Sequence, residues 1–284
     1  MGISLQKVSY SYNKKRKNTK YAIKDINLDI RSNDEFIALI GHTGSGKSTL
    51  STIFNALKIP TSGDATIFSI KIKERRRRKD KYNKIRGHVG LVFQFPDYQL
   101  FEETVLKDVM FGPKNFGRKK DAEKLAIEAL ELVDFPKDKY ESSPFTLSGG
   151  EKKMVSIAGI LSSNPDIIVL DEPTAGLDPK SREKVLKLLV DLNTIHHKSI
   201  VIITHDMNIV YRYTKRVLVM NNGELIIDTT PRDLFLNNKE LVKDAHLDYP
   251  DTIRLSNYLN DKLGLNLKNY GYTLDELMEE LIDA

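Results

Sequence analysis

One glycine-rich stretch has residue types and spacing that suit phosphate binding. It reads GHTGSGKST at residues 41–49, fits the pattern G-x-x-x-x-G-K-[ST] and directly follows an apolar run at 36–40. Glycines at this spacing let backbone N–H groups face a nucleotide's phosphates, and the positive end of the following helix points at the same place. A glycine-rich turn without a ligand is the structural alternative. The expected phosphate-binding residues are Gly41, His42, Thr43, Gly44, Ser45, Gly46, Lys47, Ser48 and Thr49.

Two adjacent carboxylates follow a second apolar run, at residues 167–170. An acidic pair at the end of a buried strand indicates a nearby cation. We expect the Ser48 hydroxyl to ligate Mg²⁺ and Asp171 to hold it directly or through water, while Lys47 pairs with the β- and γ-phosphates. Glu172 is expected to accept a hydrogen bond from the attacking water, either as a general base or only as a positioning group. Taken alone, the carboxylate pair also suits an ordinary turn at a strand end.

A histidine follows a third run of this kind, at residues 200–204. The carboxyl ends of parallel strands meet at one edge of an open α/β sheet, where ligands bind. His205 is therefore expected to hydrogen-bond the terminal phosphate and sense its presence. Alone, such a histidine is more often a capping or loop residue. For His196 and His197, at the end of a predicted helix, we keep the structural interpretation.

A second glycine cradle occurs in LSGGE, at residues 147–151. A Ser-Gly-Gly turn exposes backbone N–H groups at the start of an apolar helix, which is predicted to begin near Lys152. A chain that already has one phosphate loop does not need a second cradle for the same nucleotide. We therefore expect this turn to contact a nucleotide held by a partner subunit, through Ser148, Gly149, Gly150 and Glu151.

The elements that position these groups follow from hydrophobic patterning. Short apolar runs rich in β-branched residues predict buried parallel strands at 36–40, 89–93, 167–170 and 200–203. Helical spacing occurs between them, in Leu125, Ala126, Ala129, Leu130 and Val133 and in Val185, Leu188, Leu189, Leu192 and Ile195. This alternation indicates an α/β fold. Residues 95–164 contain no convincing strand and are predicted to form an inserted helical subdomain.

The last part of the chain predicts a small helical extension. Thr273 stands three residues before Glu276, which is the pattern of a helix capping box. The apolar residues that follow share one helical face, namely Leu274, Leu277, Met278, Leu281 and Ile282.

Composition narrows the class of protein. A chain of 284 residues with 40% hydrophobic content can bury a sizeable core. No apolar run reaches the roughly 18 to 20 residues of a membrane-spanning helix. The absence of cysteine excludes disulfides and thiolate metal sites, and without a secretory signal pattern a cytosolic location is expected. A net charge of +5 suits anionic partners, and the basic runs at 14–17 and 75–78 are expected to be solvated loops.

Together, these motifs resemble the nucleotide-binding domain of ABC transporters over about residues 4–231. The resemblance implies a P-loop NTPase fold, with a RecA-like core and an amino-terminal antiparallel β portion, and implies ATP and Mg²⁺ as ligands. It also implies that Tyr12, which alone would more often be a packed strand residue, stacks on adenine. Gln94 would act in catalysis together with Lys47, Glu172 and His205. It would also bind Mg²⁺ together with Ser48 and Asp171. The implied loop across the subunit interface, the D-loop, is Ala175, Gly176, Leu177 and Asp178.

Narrower features resemble the energy-coupling-factor importers for vitamins and transition-metal ions. The stretch LVFQFPDYQLFEETVLKDVMFGPKNFG at 91–117, with SPFTLSGG and DEPTAGLDP, is most similar to the second of their two paralogous ATPases. The resemblance implies a nucleotide-binding domain at 1–230, with its helical subdomain at about 95–164, and a dimerisation extension at 231–284. The implied place is the cytoplasmic face of the membrane. The implied partners are a second ABC ATPase subunit, paralogous or identical, a transmembrane coupling protein and a substrate-binding membrane subunit.

Two other classes of function remain as alternatives. A soluble ABC ATPase acting on nucleic acid would suit the basic runs. Members that act in translation carry two cassettes, however, and repair members carry long coiled coils, so we expect no nucleic-acid partner. A nucleotide-binding partner without catalysis is disfavoured because Glu172 and His205 are both present. The sequence does not identify the transported solute, and Glu151, where glutamine is more usual, leaves the tuning of the second cradle open.

Overall fold

The computed structural model describes residues 2–13, 20–72, 79–265, 267 and 271–283. The basic runs predicted to be solvated loops, at 14–17 and 75–78, lie outside these residues. In the described part of the chain, no helix combines the length and the apolar character needed to cross a membrane.

The strands form two sheets. They are β1 (Ile3–Tyr10), β2 (Ile23–Ile30), β3 (Phe36–Ile40), β4 (Ser62–Ile67), β5 (Ile70–Ile72), β6 (Val89–Val92), β7 (Ile167–Asp171), β8 (Ser199–Ile203), β9 (Arg216–Asn221) and β10 (Glu224–Thr229). An antiparallel sheet has the order β2-β1-β4-β5, and a larger sheet has the order β10-β9-β3-β8-β7-β6. All strands of the larger sheet are parallel except β10. The predicted α/β class and the antiparallel amino-terminal portion are confirmed.

The α-helices surround the larger sheet and extend beyond it. They are α1 (Lys47–Phe54), α2 (Lys79–His88), α3 (Val105–Asn115), α4 (Ala122–Leu132), α5 (Gly149–Leu161), α6 (Pro179–Thr194), α7 (Met207–Tyr213), α8 (Pro231–Asn237), α9 (Lys239–Asp244), α10 (Asp251–Leu263) and α11 (Leu274–Asp283).

The predicted buried strands are present, because continuous β-branched runs bury both faces of a parallel strand. Every residue of β3 and β8 is buried. Three boundaries differ from the prediction by one residue: β7 ends at Asp171 instead of Leu170, β8 begins at Ser199 instead of Ile200, and β6 ends at Val92 instead of Phe93. The chain turns outward there, and the Phe93 N–H donates to Gln99 Oε1 at 2.9 Å.

Helix α1 is clamped between the two sheets. Leu50, Ile53 and Phe54 are fully buried in a core that also contains the inward side chains of β1, β2 and β3. Burying each such side chain contributes roughly 1.5–3 kcal/mol. A second core lies between the opposite face of the larger sheet and helices α3 to α10, whereas Ile85 of α2 belongs to the first core. The start of α1 is therefore held firmly at the edge of the sheet.

The inserted subdomain is helical, as predicted. Between residues 95 and 164 the described chain forms α3, α4, α5 and short 3-10 turns. Helix α4 buries Ala126, Ala129 and Leu130 on its predicted apolar face. The predicted face of α6 is wrong at its last position, since Ile195 is 64% exposed. The helix ends at Thr194, and Ile195 already belongs to the turn that follows.

The carboxy-terminal extension ends in α10 and α11. The Glu276 N–H donates to Thr273 Oγ1 at 3.2 Å, as a capping box requires. The Glu276 carboxylate accepts from the Tyr272 N–H and not from the Thr273 N–H, so only half of the predicted box forms. On the predicted apolar face of α11, Leu277 is buried whereas three residues are exposed: Leu274, Met278 and Ile282.

Candidate functional site

Three neighbouring strands bring the predicted chemical groups to one edge of the larger sheet. β8 lies between β3 and β7, and all three run parallel. β3 leads into the glycine-rich loop, β7 ends at Asp171, and β8 is followed by His205. Their carboxyl ends therefore meet, as ligand sites in open α/β sheets require.

The glycine-rich loop depends on conformations that favour glycine. Gly41, Gly44 and Gly46 have φ values of +143°, +86° and +106°. A Cβ on Gly41 would lie 2.1 Å from the Met220 carbonyl oxygen, and one on Gly46 would lie 2.6 Å from that of Ala22. The loop can follow this path only with glycine at both positions.

Lys47 begins α1 and is nearly buried beneath the loop. Its Nζ donates to the carbonyl oxygens of Gly41 at 2.7 Å and His42 at 2.9 Å. Burial lowers the pKa of Lys47, and two nearby carboxylates oppose this shift. The Ser45 hydroxyl is buried and lacks a hydrogen-bond partner among the described residues, and no side chain caps α1. These features fit a phosphate bound at a helix amino terminus.

Ser48 and Asp171, two of the three predicted magnesium ligands, are in contact. Ser48 Oγ donates to Asp171 Oδ2 at 2.9 Å. Burial raises the pKa of Asp171, and the hydrogen bond from Ser48 opposes that rise. Among the described residues, no group of three or more His, Cys, Asp and Glu side chains could hold a metal. One carboxylate and one hydroxyl fit Mg²⁺, which takes few protein ligands and adds water and substrate phosphates.

Glu172 stands in a constrained turn. Its φ is +46°, which is uncommon outside glycine, and its N–H donates to the Ile203 carbonyl at 2.9 Å. Its side chain is 15% exposed, and Oε1 lies 3.8 Å from His205 Nε2. Within the part of the chain that the structure describes, this buried oxygen has no hydrogen-bond partner. Burial and the neighbouring Asp171 carboxylate both raise the pKa of Glu172. Such a carboxylate is a stronger proton acceptor than a solvated one.

His205 lies in a turn that contacts with α6 and α10 hold in place, and the sequence pattern did not reveal these contacts. Asp206 caps α7 and pairs with Arg182 on α6. Asn208 and Asp251 exchange two hydrogen bonds of 2.8 Å, which attach the start of α10 to the same turn. Burial lowers the pKa of His205, and Lys47 adds to the effect, so the imidazole is neutral at pH 7.

A cleft of about 920 Å³ opens beside the glycine-rich loop. Tyr12 stands at its mouth, 62% exposed, with its hydroxyl 3.1 Å from Thr49 Oγ1 and Lys58 Nζ 5.4 Å from its ring centroid. An exposed ring tethered in this way is available to stack on a base. His42 lines the cleft, where its Nε2 lies 3.1 Å from Asn221 Oδ1, and Thr43 is exposed to solvent.

The position of Gln94 differs from what its predicted role as a Mg²⁺ ligand requires. It lies two residues beyond β6 and is exposed, and no hydrogen bond among the described residues joins its side chain to Ser48 or Asp171. The backbone carbonyl of Gln94 accepts a hydrogen bond from Lys153 Nζ at 2.7 Å. Lys153 is only 1% exposed, and burial lowers its pKa to about 8. This buried lysine was missed because nothing in the sequence distinguishes it from a solvated one.

The second glycine cradle is part of a helix. The predicted start near Lys152 is wrong, because Ser148 caps α5 and the helix already begins at Gly149. Ser148 Oγ accepts from the Glu151 N–H at 3.3 Å, and the Glu151 carboxylate accepts from the Ser148 N–H and Oγ at 2.9 Å each. No residue of this cradle is among the described residues that line the nucleotide-sized cleft.

The D-loop protrudes between β7 and α6. Ala175 and Gly176 are exposed, Gly176 has a φ of +74°, and Leu177 is half-buried. Asp178 caps α6 by accepting from the N–H groups of Lys180 and Ser181, both at 3.1 Å. The cap fixes where the loop ends and leaves its tip exposed.

Comparisons with known proteins agree with this geometry. The family model described as ABC transporter matches residues 23–175. A curated protein of Ligilactobacillus salivarius, named energy-coupling factor transporter ATP-binding protein EcfA2, is 43% identical over 99% of this chain and 97% of its own length. The protein of the same name from Clostridium tetani is 41% identical over 99% and 96%.

Two solved structures extend the agreement to three dimensions. The dimeric ATP-binding cassette MJ0796 in a post-hydrolysis state bound to ADP and Pi has a TM-score of 0.72 and 33% identity, covering 81% of this chain and 99% of its own. CbiO1 from Clostridium perfringens, part of the ABC transporter complex cbiONQ, has a TM-score of 0.72 and 34% identity, covering 90% and 98%. The P-loop NTPase fold inferred from the motifs is confirmed.

Proposed function

Because the chain belongs to the ABC transporter family and is an ATPase, we propose that it is the ATP-hydrolysing subunit of an energy-coupling-factor importer. Such an importer takes up a vitamin or a transition-metal ion. The main support is the meeting of Ser48 and Asp171 at 2.9 Å beside the glycine-rich loop. Near full-length similarity to two ATP-binding proteins of energy-coupling factor transporters supports the branch.

In this proposal the glycine-rich loop holds the triphosphate of ATP. Lys47 exchanges its loop carbonyl partners for the β- and γ-phosphates. The Ser45 hydroxyl and the start of α1, which have no partner and no side-chain cap in the described part of the chain, face the same group. Tyr12 stacks on adenine at the mouth of the cleft. The remaining loop residues, His42, Thr43 and Thr49, set the shape of the pocket.

Ser48, Asp171 and Gln94 would hold Mg²⁺. The contact of Ser48 with Asp171 supports the first two ligands, whereas Gln94 would have to turn inward to join them. When bound, Mg²⁺ supplies positive charge that stabilises the phosphate oxygens during hydrolysis. Lys47 and the amino terminus of α1 contribute positive charge at the same place without the metal.

Glu172 orients the attacking water. Its buried Oε1 has no hydrogen-bond partner among the residues that the structure describes, and the pKa of Glu172 is raised, so the carboxylate is suited to accept a hydrogen bond or a proton from that water. Neutral His205, 3.8 Å from Glu172, donates an N–H towards the terminal phosphate. The φ of +46° at Glu172 is the kind of backbone strain often found at functional sites.

A second ATPase subunit completes the site. The cradle formed by Ser148, Gly149 and Gly150 would contact ATP on that subunit, and the D-loop would cross the interface. Both segments are exposed except for the half-buried Gly150 and Leu177, and neither lines the nucleotide-sized cleft of its own chain among the described residues. The exposed apolar residues of α10 and α11 support a dimerising role for residues 231–284, namely Leu255, Tyr258, Leu263, Leu274, Met278 and Ile282.

The proposed membrane partners are a transmembrane coupling protein and a substrate-binding membrane subunit. Aromatic side chains next to Gln94 are unusually exposed, at 54% for Phe95, 81% for Tyr98 and 55% for Phe101. An exposed aromatic patch of this kind suits docking of an apolar segment. In this proposal the chain lies at the cytoplasmic face of the membrane, with Gln94 between the docked segment and the nucleotide.

The sharpest test is Glu172→Gln. This change keeps the shape of the side chain but removes its ability to accept a proton, so steady-state phosphate release should fall by roughly 10²–10⁴-fold. ATP binding should persist, and ATP should trap a dimer. Glu123→Gln, on the exposed face of α4, is the matched control and should change neither quantity. Phosphate release at the wild-type rate by Glu172→Gln would remove Glu172 from its assigned role.

The partners are tested by mild detergent extraction. An integral membrane subunit should co-purify, and Phe95→Ser with Tyr98→Ser should reduce its recovery without lowering ATP binding. Tight, salt-sensitive binding to DNA or RNA in the absence of a membrane subunit would favour the nucleic-acid alternative.

A further inference from the structure

The carboxylate of Glu151 is bound from two sides. Oε2 accepts from the Ser148 N–H and Oγ, while Oε1 pairs with Lys139 Nζ at 2.5 Å. Lys139 closes the short 3-10 turn Lys137–Lys139. Its hydrogen bond to Glu151 is the largest of the effects that lower the pKa of this carboxyl to about 2. Glu151 is therefore ionised at neutral pH, and its charge faces a lysine.

An unpaired charge here would oppose the proposed role of the cradle. A carboxylate at the start of α5 stabilises that helix, but it repels a phosphate brought to the same helix end. Two like charges about 6 Å apart near a protein surface reduce affinity by roughly one to two orders of magnitude. Glu151 also holds the Ser148 hydroxyl proton, which Ser148 needs in order to donate to a phosphate oxygen.

We propose that Lys139 is a positioning residue of the second glycine cradle and that it acts by neutralising Glu151 beside Ser148. The pair removes the repulsion and weakens the hold of Glu151 on the Ser148 hydroxyl. Ser148 and the start of α5 can then receive the terminal phosphate of ATP on the neighbouring subunit. This inference rests on the proposed function, in which Ser148 contacts that ATP.

A neighbouring ion pair provides the matched control. Lys137 Nζ lies 2.7 Å from Glu131, two residues away from Lys139 on the same turn. Both lysines are substantially exposed, but Lys137 does not reach the cradle through a carboxylate. Exposed pairs of this kind contribute little to folding. A difference between the two lysines in nucleotide-dependent assembly would therefore not come from a general loss of stability.

The test measures the MgATP concentration that half-assembles the ATPase dimer, by sedimentation in the Glu172→Gln background. The full chain is used together with the ATPase subunit that co-purifies with it. Lys139→Met should raise this concentration roughly tenfold. The effect should be smaller than that of a fully buried unpaired charge, because salt screens the repulsion between exposed groups. Lys139→Arg should restore it, and Lys137→Met should leave it unchanged. In a Glu151→Gln chain, Lys139→Met should have less than a twofold effect.

Two results would overturn the inference. One is an equal effect of Lys139→Met and Lys137→Met. The other is an undiminished effect of Lys139→Met in the Glu151→Gln chain, which would mean that Lys139 acts on the phosphate without Glu151. Ser148→Ala separates the two proposals. If Ser148→Ala weakens assembly while Lys139→Met does not, only the role of Lys139 fails; if Ser148→Ala has no effect, the proposed role of the cradle fails as well.

Discussion

The two glycine cradles of this chain sit at helix amino termini but are built in opposite ways. The cradle before α1 has glycines at positive φ, no side-chain cap and a nearly buried lysine. The cradle before α5 has a capping box, and a Cβ on Gly149 would meet nothing within 4 Å. The first is shaped around a ligand within its own chain, whereas the second satisfies its own hydrogen bonds and presents an open face. An open, self-capped helix end suits a ligand delivered by another molecule.

The largest effect is expected when the first cradle is deformed. A Cβ on Gly46 would lie 2.6 Å from a backbone oxygen and 2.9 Å from Ile23 Cγ2, so Gly46→Ala must displace the loop. ATP affinity of the isolated chain should fall by at least about 100-fold, as several charge-assisted hydrogen bonds are lost. Titration calorimetry measures this loss.

Gly44→Ala is the graded control for that experiment. Gly44 has a φ of +86°, but a Cβ added to it would have no atom within 4 Å. Only the left-handed backbone penalty remains, of about 1–2 kcal/mol, which corresponds to about a tenfold loss. Equal losses for Gly44→Ala and Gly46→Ala would contradict the packing argument.

A smaller and qualitatively different effect is expected at the second cradle. Gly149→Ala has open space, so the fold should keep its stability to within about 1 kcal/mol. The added methyl group covers the exposed helix end, and ATP-dependent assembly should weaken about tenfold, by the loss of one phosphate hydrogen bond of roughly 1.5 kcal/mol. Thermal unfolding and sedimentation measure the two quantities. Weaker ATP binding by the isolated chain would instead mean that the cradle acts within its own subunit.

Sequence reasoning succeeded where a local pattern carries its own geometry. A local conformation is predicted by the glycine spacing at 41, 44 and 46, by the buried runs of β3, β7 and β8, and by the carboxylates at the end of β7. The parallel sheet brings these groups together. It failed where a contact depends on distant parts of the chain. Lys139 meets Glu151 because the chain between the 3-10 turn and α5 folds back on itself, and the pairing of Asn208 with Asp251 depends on where the extension packs.

The smallest effect should come from Tyr12→Phe. The change retains the ring that would stack on adenine and removes only the hydroxyl contact with Thr49. A single neutral hydrogen bond contributes about 0.5–1.5 kcal/mol, so ATP affinity of the isolated chain should fall by less than about tenfold. Fluorescent-nucleotide titration checks this, with Tyr98→Phe, far from the loop in sequence, as the control. A change in assembly at saturating ATP would show that Tyr12 belongs to the interface as well.

The most direct test of the shared pocket is the hydrolysis rate per chain. This rate is measured while the concentration of the second ATPase subunit is raised. A pocket shared by two subunits predicts a rate that rises with subunit concentration and reaches a plateau as dimers form. The rate should drop about 100-fold in Ser148→Ala, as for a lost transition-state donor. The shared pocket would be contradicted by a rate that does not depend on subunit concentration, in a sample that sediments as a monomer and in which Ser148→Ala is as active as the wild type.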